Sequence, residues 1–280
     1  MMNLFKLQLE IRHADWPYIL QGFIAYFVLS ILAYFVLPDG GYEYFLLVIS
    51  LLFIIFTFVH FNNIRIEEQH HSRYKIQALN ELIKLLPIRA PLPPMVGWAA
   101  TPELALNVYK VIEEKKPDLI VELGSGVTSI VSAYSLEKFN PEGRIVSFDH
   151  DADFADQTRK ELKYHQLEKY VDIFDAPLSS INVNGKQCKW YDIDFSLIKA
   201  PIDMLIIDGP PLKTQQYARY PALPSFYQKL SDDALVIFHD TRREMESKTV
   251  KNWVQEFPDL THSFLRTEKG ISIFRRDVKN

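Results

Sequence analysis

The residues best equipped for chemistry lie in short clusters, each just after an apolar run. The segment Val121-Glu122-Leu123-Gly124-Ser125-Gly126-Val127-Thr128 joins a carboxylate and two glycines to the start of a helical pattern. Gly124 and Gly126 allow a tight turn and a close backbone approach to a ligand. The helix N-terminus that follows favours a negative group such as a carboxylate. A dinucleotide fingerprint, G-x-G-x-x-G, would need glycine where this chain has Ser129. Glu122 would crowd a pyrophosphate but suits the ammonium of a methionyl group. Ser125, between the glycines, belongs to the same cofactor-binding set. Asp149 ends the second apolar run, where a carboxylate can accept hydrogen bonds from both ribose hydroxyls. Asp175, after the third run, is placed to meet an adenine amino group, and Asp151 is a weaker alternative to Asp149 for the ribose.

A second cluster follows the fourth and fifth runs. Asp208 ends one, and His239-Asp240 ends the other. Ligands of open α/β sheets bind outside the carboxyl ends of the strands, so these groups should share a crevice with Glu122 and Asp149. A hard divalent cation such as Mg²⁺, held by Asp208 and Asp240, would orient a hydroxyl acceptor and lower its pKa. His239 suits the edge of that metal site or the role of base, since imidazoles as a class change charge near physiological pH. Lys213 and Arg219 are placed to meet an anionic acceptor or to be surface charges. Tyr217 and Tyr220 read as core or as a sugar-stacking wall.

The elements that must position these groups alternate. Apolar runs at Leu119–Leu123, Ile145–Phe148, Val171–Phe174, Met204–Ile207 and Leu235–Phe238 are separated by helical patterns at about 127–138, 152–166, 221–230 and 243–256. Continuous apolar strands alternating with helices predict a doubly wound α/β domain whose parallel sheet is covered on both faces. The final runs, HSFLR and ISIFR, are joined only by TEKG and must pair antiparallel.

The E-x-G-x-G pattern resembles the first motif of class I S-adenosylmethionine-dependent methyltransferases. The likeness spans roughly residues 97–276 and includes Ile207-Asp208-Gly209-Pro210-Pro211, Ala218-Arg219-Tyr220-Pro221-Ala222-Leu223-Pro224 and Phe238-His239-Asp240. It is closest to sugar O-methyltransferases of the macrocin type and more distant from catechol O-methyltransferase. The resemblance implies a Rossmann-like methyltransferase sheet, S-adenosylmethionine as cofactor, and methylation of a sugar, glycolipid or other envelope precursor. His239 stands where that branch would carry an acidic residue, which bears on metal dependence. The competing readings are a nicotinamide-dependent oxidoreductase, disfavoured by Glu122 and Ser129, and a non-catalytic membrane partner that keeps the fold.

The remainder concerns placement. Residues 16–38 and 44–64 are charge-free apart from their margins, and each approaches the ~20 residues needed to cross a bilayer. Trp16, Tyr18, Tyr42 and Tyr44 mark their ends. Lys6 and Arg12 precede the first span, and Arg65, Arg73 and Lys75 follow the second. The positive-inside rule therefore predicts a multi-pass hairpin in the inner membrane with both termini cytosolic. Residues 65–96 read as a connector helix and a proline-rich linker, with the methyltransferase domain at 97–280. Ile76, Leu79, Ile83 and Leu86 form one apolar stripe, expected to dock on that domain, with the membrane surface or a second copy as other uses. The net charge of −4 and the absence of a basic–aromatic tract argue against nucleic acid as a partner, leaving a small-molecule or lipid-linked acceptor. Cys188 is the one cysteine, so neither an internal disulfide nor a cysteine metal site can form.

Overall fold

A computed structural model describes residues 16–37 and 41–276. The chain forms two compact units, Met1–His70 and His71–Asn280.

In the first unit, α1 (Trp16–Val36) lies against the start of α2 (Gly41–Leu85). Phe23 stacks near Phe53 at 5.0 Å, the Tyr26 hydroxyl meets Ser50 Oγ at 3.0 Å, and Tyr34 meets Tyr42 at 5.3 Å. Rising positions on one helix pair with falling positions on the other, so the two run antiparallel. Their outer faces are apolar and open; Phe27, Phe35, Leu47 and Phe58 are all largely exposed. Among the described residues one helix, Gly41–Leu85, is long and apolar enough to cross a membrane, and the apolar part of α1, Leu20–Val36, is shorter. Part of the expected link, Pro38–Gly40, lies outside the described residues.

The second unit is an α/β sandwich. Its elements are α3 (Pro102–Lys115), β1 (Leu119–Leu123), α4 (Val127–Phe139), β2 (Arg144–Asp149), α5 (Ala152–Tyr164), β3 (Val171–Asp175), β4 (Leu178–Val183), β5 (Lys186–Tyr191), β6 (Ile202–Ile207), α6 (Ala222–Phe226), β7 (Leu230–His239), α7 (Glu244–Glu256), β8 (Leu260–Leu265) and β9 (Ile271–Arg276). The main sheet has the order β3-β2-β1-β6-β7-β9-β8; β9 runs antiparallel to β7 and to β8, and the other pairs are parallel. It is therefore a Rossmann-like sheet ending in an antiparallel pair. The strand order reverses between β1 and β6, which makes their carboxyl ends the topological switch point.

Side-chain alternation divides the core in two. Ile120, Met204, Ile206 and Ile237 face one cluster, and Val121, Leu123, Leu205, Ile207, Val236 and Phe238 face the other. Glu122 shares the parity of Ile120, which turns its carboxylate toward α4.

Several features differ from the sequence reading. The second unit begins at His71, well before the proline-rich segment, because Ala78, Leu82 and Leu86 are buried in its core. Of the expected stripe, Leu86 is buried and Leu79 half-buried, but Ile76 and Ile83 are 62% and 55% exposed, and Ala78 and Leu82 complete the docked face instead. The proline-rich segment is no free linker either. The Arg89 backbone N–H donates to the Tyr134 hydroxyl at 2.9 Å, its Nε donates to His165 O at 3.0 Å, and its guanidinium pairs with Glu137. Finally, β4 and β5 form a separate hairpin that the apolar pattern does not reveal, closed by Asn184 and Gly185 at φ 51° and 79°. The helical pattern at 221–230 contracts to the five-residue α6 followed by a 3₁₀ turn.

Candidate active site

The glycine loop after β1 and the loop after β6 are in direct contact. Gly124 adopts φ +95°, and a Cβ there would come within 3.3 Å of the Asp208 and Gly209 backbone. Gly126 adopts φ +153°, and a Cβ there would meet nothing within 4 Å, so its outer side is open to a ligand. Asp149 braces the loop: its Oδ2 accepts from Ser125 N at 2.8 Å and Ser125 Oγ at 2.7 Å, and its Oδ1 accepts from Asp151 N at 3.1 Å. Burial pushes the Asp149 carboxyl up, but the His150 ring, Ser125 and the Asp151 backbone outweigh it and hold the pKa below the ordinary value. Asp151 is the N-cap of α5, accepting from Asp153 N and Phe154 N.

Glu122 lies beneath the loop and is fully buried. In register with Ser147 across β1 and β2, its Oε2 accepts from Ser147 Oγ at 2.9 Å and from Ser129 Oγ. Ser129 Oγ in turn accepts from Gly126 N at 3.0 Å. The third position of a dinucleotide fingerprint is therefore filled by a hydroxyl that links the loop to Glu122. Glu122 Oε1 is buried with no hydrogen-bond partner. Desolvation, only partly offset by the hydroxyl donors, raises the Glu122 pKa from 4.5 to about 7. Asp175 does not join this group. It is exposed, and its Oδ1 is held by Arg159 Nη2 at 2.7 Å, so an adenine contact would have to share it with that guanidinium.

At the other end of the crevice Asp208, His239 and Asp240 come together, with one ligand atom from each lying within 4.8 Å of the others. His239 Nδ1 lies 2.9 Å from Asp208 Oδ1. An ionised carboxylate only accepts, so Nδ1 carries the proton in this contact and Nε2 is the basic nitrogen of the neutral ring. That Nε2 is buried and makes no hydrogen bond. Burial acts to raise the Asp208 pKa, but His239 and Arg219 outweigh it and leave the pKa below the ordinary value. Asp240 adopts φ 63°, a conformation few non-glycine residues occupy. Strain of this kind persists where neighbours over-determine it; here Arg219 Nη2 at 3.0 Å and Arg243 Nη1 at 2.8 Å both reach Asp240 Oδ2.

One residue is placed differently from the sequence reading, and another is not singled out by it. Arg219 is 4% exposed and cannot be a surface charge. Tyr191, delivered by the β4–β5 hairpin, puts a buried hydroxyl with no hydrogen-bond partner against Gly209. Burial, then the charge of Asp149, drives its pKa well above the ordinary value, so it stays a neutral donor. Among the other candidates, Lys213 is exposed with its ammonium 4.6 Å from the Trp98 ring, Tyr220 is core, and Tyr217 is half-buried.

Residues 121–241, from the middle of β1 to just past Asp240, match the family model of a methyltransferase domain. Residues 121–241 form a methyltransferase domain. The matched segment spans the glycine loop after β1, the loop after β6 and the end of β7. Two solved structures share the fold. A Podospora anserina methyltransferase bound to S-adenosylhomocysteine is 12% identical, covers 76% of this chain and 96% of its own, and aligns with a TM-score of 0.53. A cofactor-bound protein from MTB is 14% identical, covers 75% and 90%, and aligns with a TM-score of 0.50. No curated protein matches the sequence.

The methyltransferase loop suits S-adenosylmethionine on its own geometry. The open side of Gly126 offers room for a ligand, and the unpartnered Glu122 Oε1 is an acceptor in need of a donor.

Proposed function

We propose that this methyltransferase transfers a methyl group to a hydroxyl of a sugar-containing, lipid-linked acceptor while anchored in a membrane by its N-terminal hairpin. One observation carries the hydroxyl assignment: the Asp208–His239 pair, with Nδ1 held at 2.9 Å and Nε2 buried and unpartnered. When bound, S-adenosylmethionine supplies a methyl group already activated on a sulfonium. What remains for the protein is to align the acceptor and remove its proton. Asp208 fixes the tautomer and ring plane of His239, and His239 Nε2 accepts the hydroxyl proton. Asp149, Ser125 and the glycines form the cradle for the nucleoside end, and Glu122 Oε1 accepts from the methionyl ammonium. The sugar component is supported by the IDGPP and ARYPALP segments, which resemble those of macrocin-type enzymes. The membrane component is supported by the broad apolar surface of α1 and the start of α2, larger than soluble surfaces ordinarily leave open, and by the basic residues flanking both spans.

Two experiments test this. Calorimetric titration of the detergent-purified chain with S-adenosylhomocysteine should show binding weakened by about 1.5–3 kcal/mol, roughly tenfold to a hundredfold, in Asp149→Ala and in Gly124→Val. Wild-type affinity in both variants would remove this loop from the cofactor site. For the anchor, protease added to sealed inside-out vesicles should spare the link at 39–43 and digest a tag at residue 280; cleavage in the link overturns the hairpin.

A further inference from the structure

The three groups at the reaction end gather as a metal site would, yet the charges around them are already matched. Each carboxylate commits one oxygen to a fixed cation: Asp208 Oδ1 faces His239 Nδ1 at 2.9 Å and Arg219 Nη1 at 3.5 Å, and Asp240 Oδ2 takes Arg219 at 3.0 Å and Arg243 at 2.8 Å. The Arg219 guanidinium is also bound by three backbone carbonyls, Nε to Pro210 O at 3.1 Å, Nη1 to His239 O at 3.2 Å and Nη2 to Asp208 O at 2.9 Å. It thus stitches the end of β6 to the end of β7 from inside the protein. The third member of the cluster is His239, and an imidazole is a poor ligand for Mg²⁺.

We infer that Arg219 is the fixed cation of this reaction end, a positioning residue standing in the role a divalent metal would have, and that the site works without one. The inference rests on the hydroxyl-methylation reading above. Mg²⁺ demands near-octahedral oxygen ligands and retains several waters. A buried guanidinium between the two carboxylates opposes that on two counts, occupying carboxylate lone pairs and adding like charge beside any incoming dication. The arrangement also suits a sulfonium donor: a single delocalised charge, tied to carboxylates and carbonyls, repels it less than a dication would. Arg219 holds Asp208 and Asp240 in place, and the proton is left to His239.

The test is a titration of the chelator-treated, detergent-purified full chain, saturated with S-adenosylhomocysteine, with Mn²⁺ while free Mn²⁺ is followed by electron paramagnetic resonance. The bound S-adenosylhomocysteine checks the methyl-donor reading separately in the same sample. No stoichiometric Mn²⁺ site should fill up to millimolar ion. Arg219→Gln should open the carboxylate pair and gain Mn²⁺ affinity by about tenfold or more, and Arg219→Lys should suppress that gain. One Mn²⁺ bound per wild-type chain at micromolar concentration, and lost in Asp240→Asn, overturns the inference even if Arg219→Gln fails to fold. A folded Arg219→Gln that still binds S-adenosylhomocysteine but gains no Mn²⁺ overturns the assignment to Arg219.

Discussion

Asp208→Asn should lower turnover by about 10²- to 10⁴-fold while leaving S-adenosylhomocysteine affinity nearly unchanged. Asp208 Oδ1 is the partner of His239 Nδ1 at 2.9 Å. An asparagine amide in the same place can donate, which permits the ring to carry its proton on Nε2 and so blocks the nitrogen that must accept one. The backbone contributions of residue 208 survive the change: its carbonyl still accepts from Arg219 Nη2, and its N–H still donates to Leu123 O at 3.0 Å. The loop should therefore stay in place, and the effect should fall on kcat. The measurement is transfer from tritiated S-adenosylmethionine into a total membrane lipid extract, beside calorimetric binding. Turnover within threefold of wild type would take the Asp208–His239 pair out of the reaction.

Glu122→Gln should stabilise the protein by up to about 3 kcal/mol at pH 8 and by little near pH 4.5. The folded carboxyl holds its proton to about pH 7, whereas the unfolded one loses it near 4.5. Between these values the native state binds the extra proton, so stability falls as pH rises and the loss is complete above 7. Glutamine keeps the shape and an acceptor for Ser129 and Ser147 but has no proton to lose. Chemical denaturation of both forms at pH 5 and pH 8 measures the difference. Parallel pH dependence of the two proteins would mean that Glu122 is ionised in the fold at no cost. The same substitution bears on ligand binding: if Glu122 Oε1 accepts from the methionyl ammonium, the glutamine form should bind S-adenosylhomocysteine more weakly at pH 8 despite its greater stability.

The strands that carry the site were plain in the sequence because a buried parallel sheet requires unbroken apolar runs, which polar segments elsewhere do not imitate. The glycine loop was plain because so few residue types tolerate its backbone. The β4–β5 hairpin was legible in principle: Asn184-Gly185 is a strong two-residue turn signal. Apolar periodicity does not reveal it, because LSSINV and KQCKWY are too polar to stand out as apolar strands. The same holds for Tyr191.

On its own, then, the sequence determined the sheet, the loop and which acidic and imidazole groups would sit at strand ends, since these follow from local periodicity and backbone conformation. Tertiary structure alone decided the partner of each group. Strand parity and the helix above sent Glu122 beneath the loop to Ser129 and Ser147. A neighbouring helix drew Asp175 out to Arg159. The core took Ala78 and Leu82 in place of Ile76 and Ile83, because which face of a helix is buried depends on the surface it meets. Arg219 reads along the chain as one more charge. It becomes the tie between Asp208 and Asp240 only because two loops, distant in sequence, close over a guanidinium whose burial requires every donor to find an acceptor.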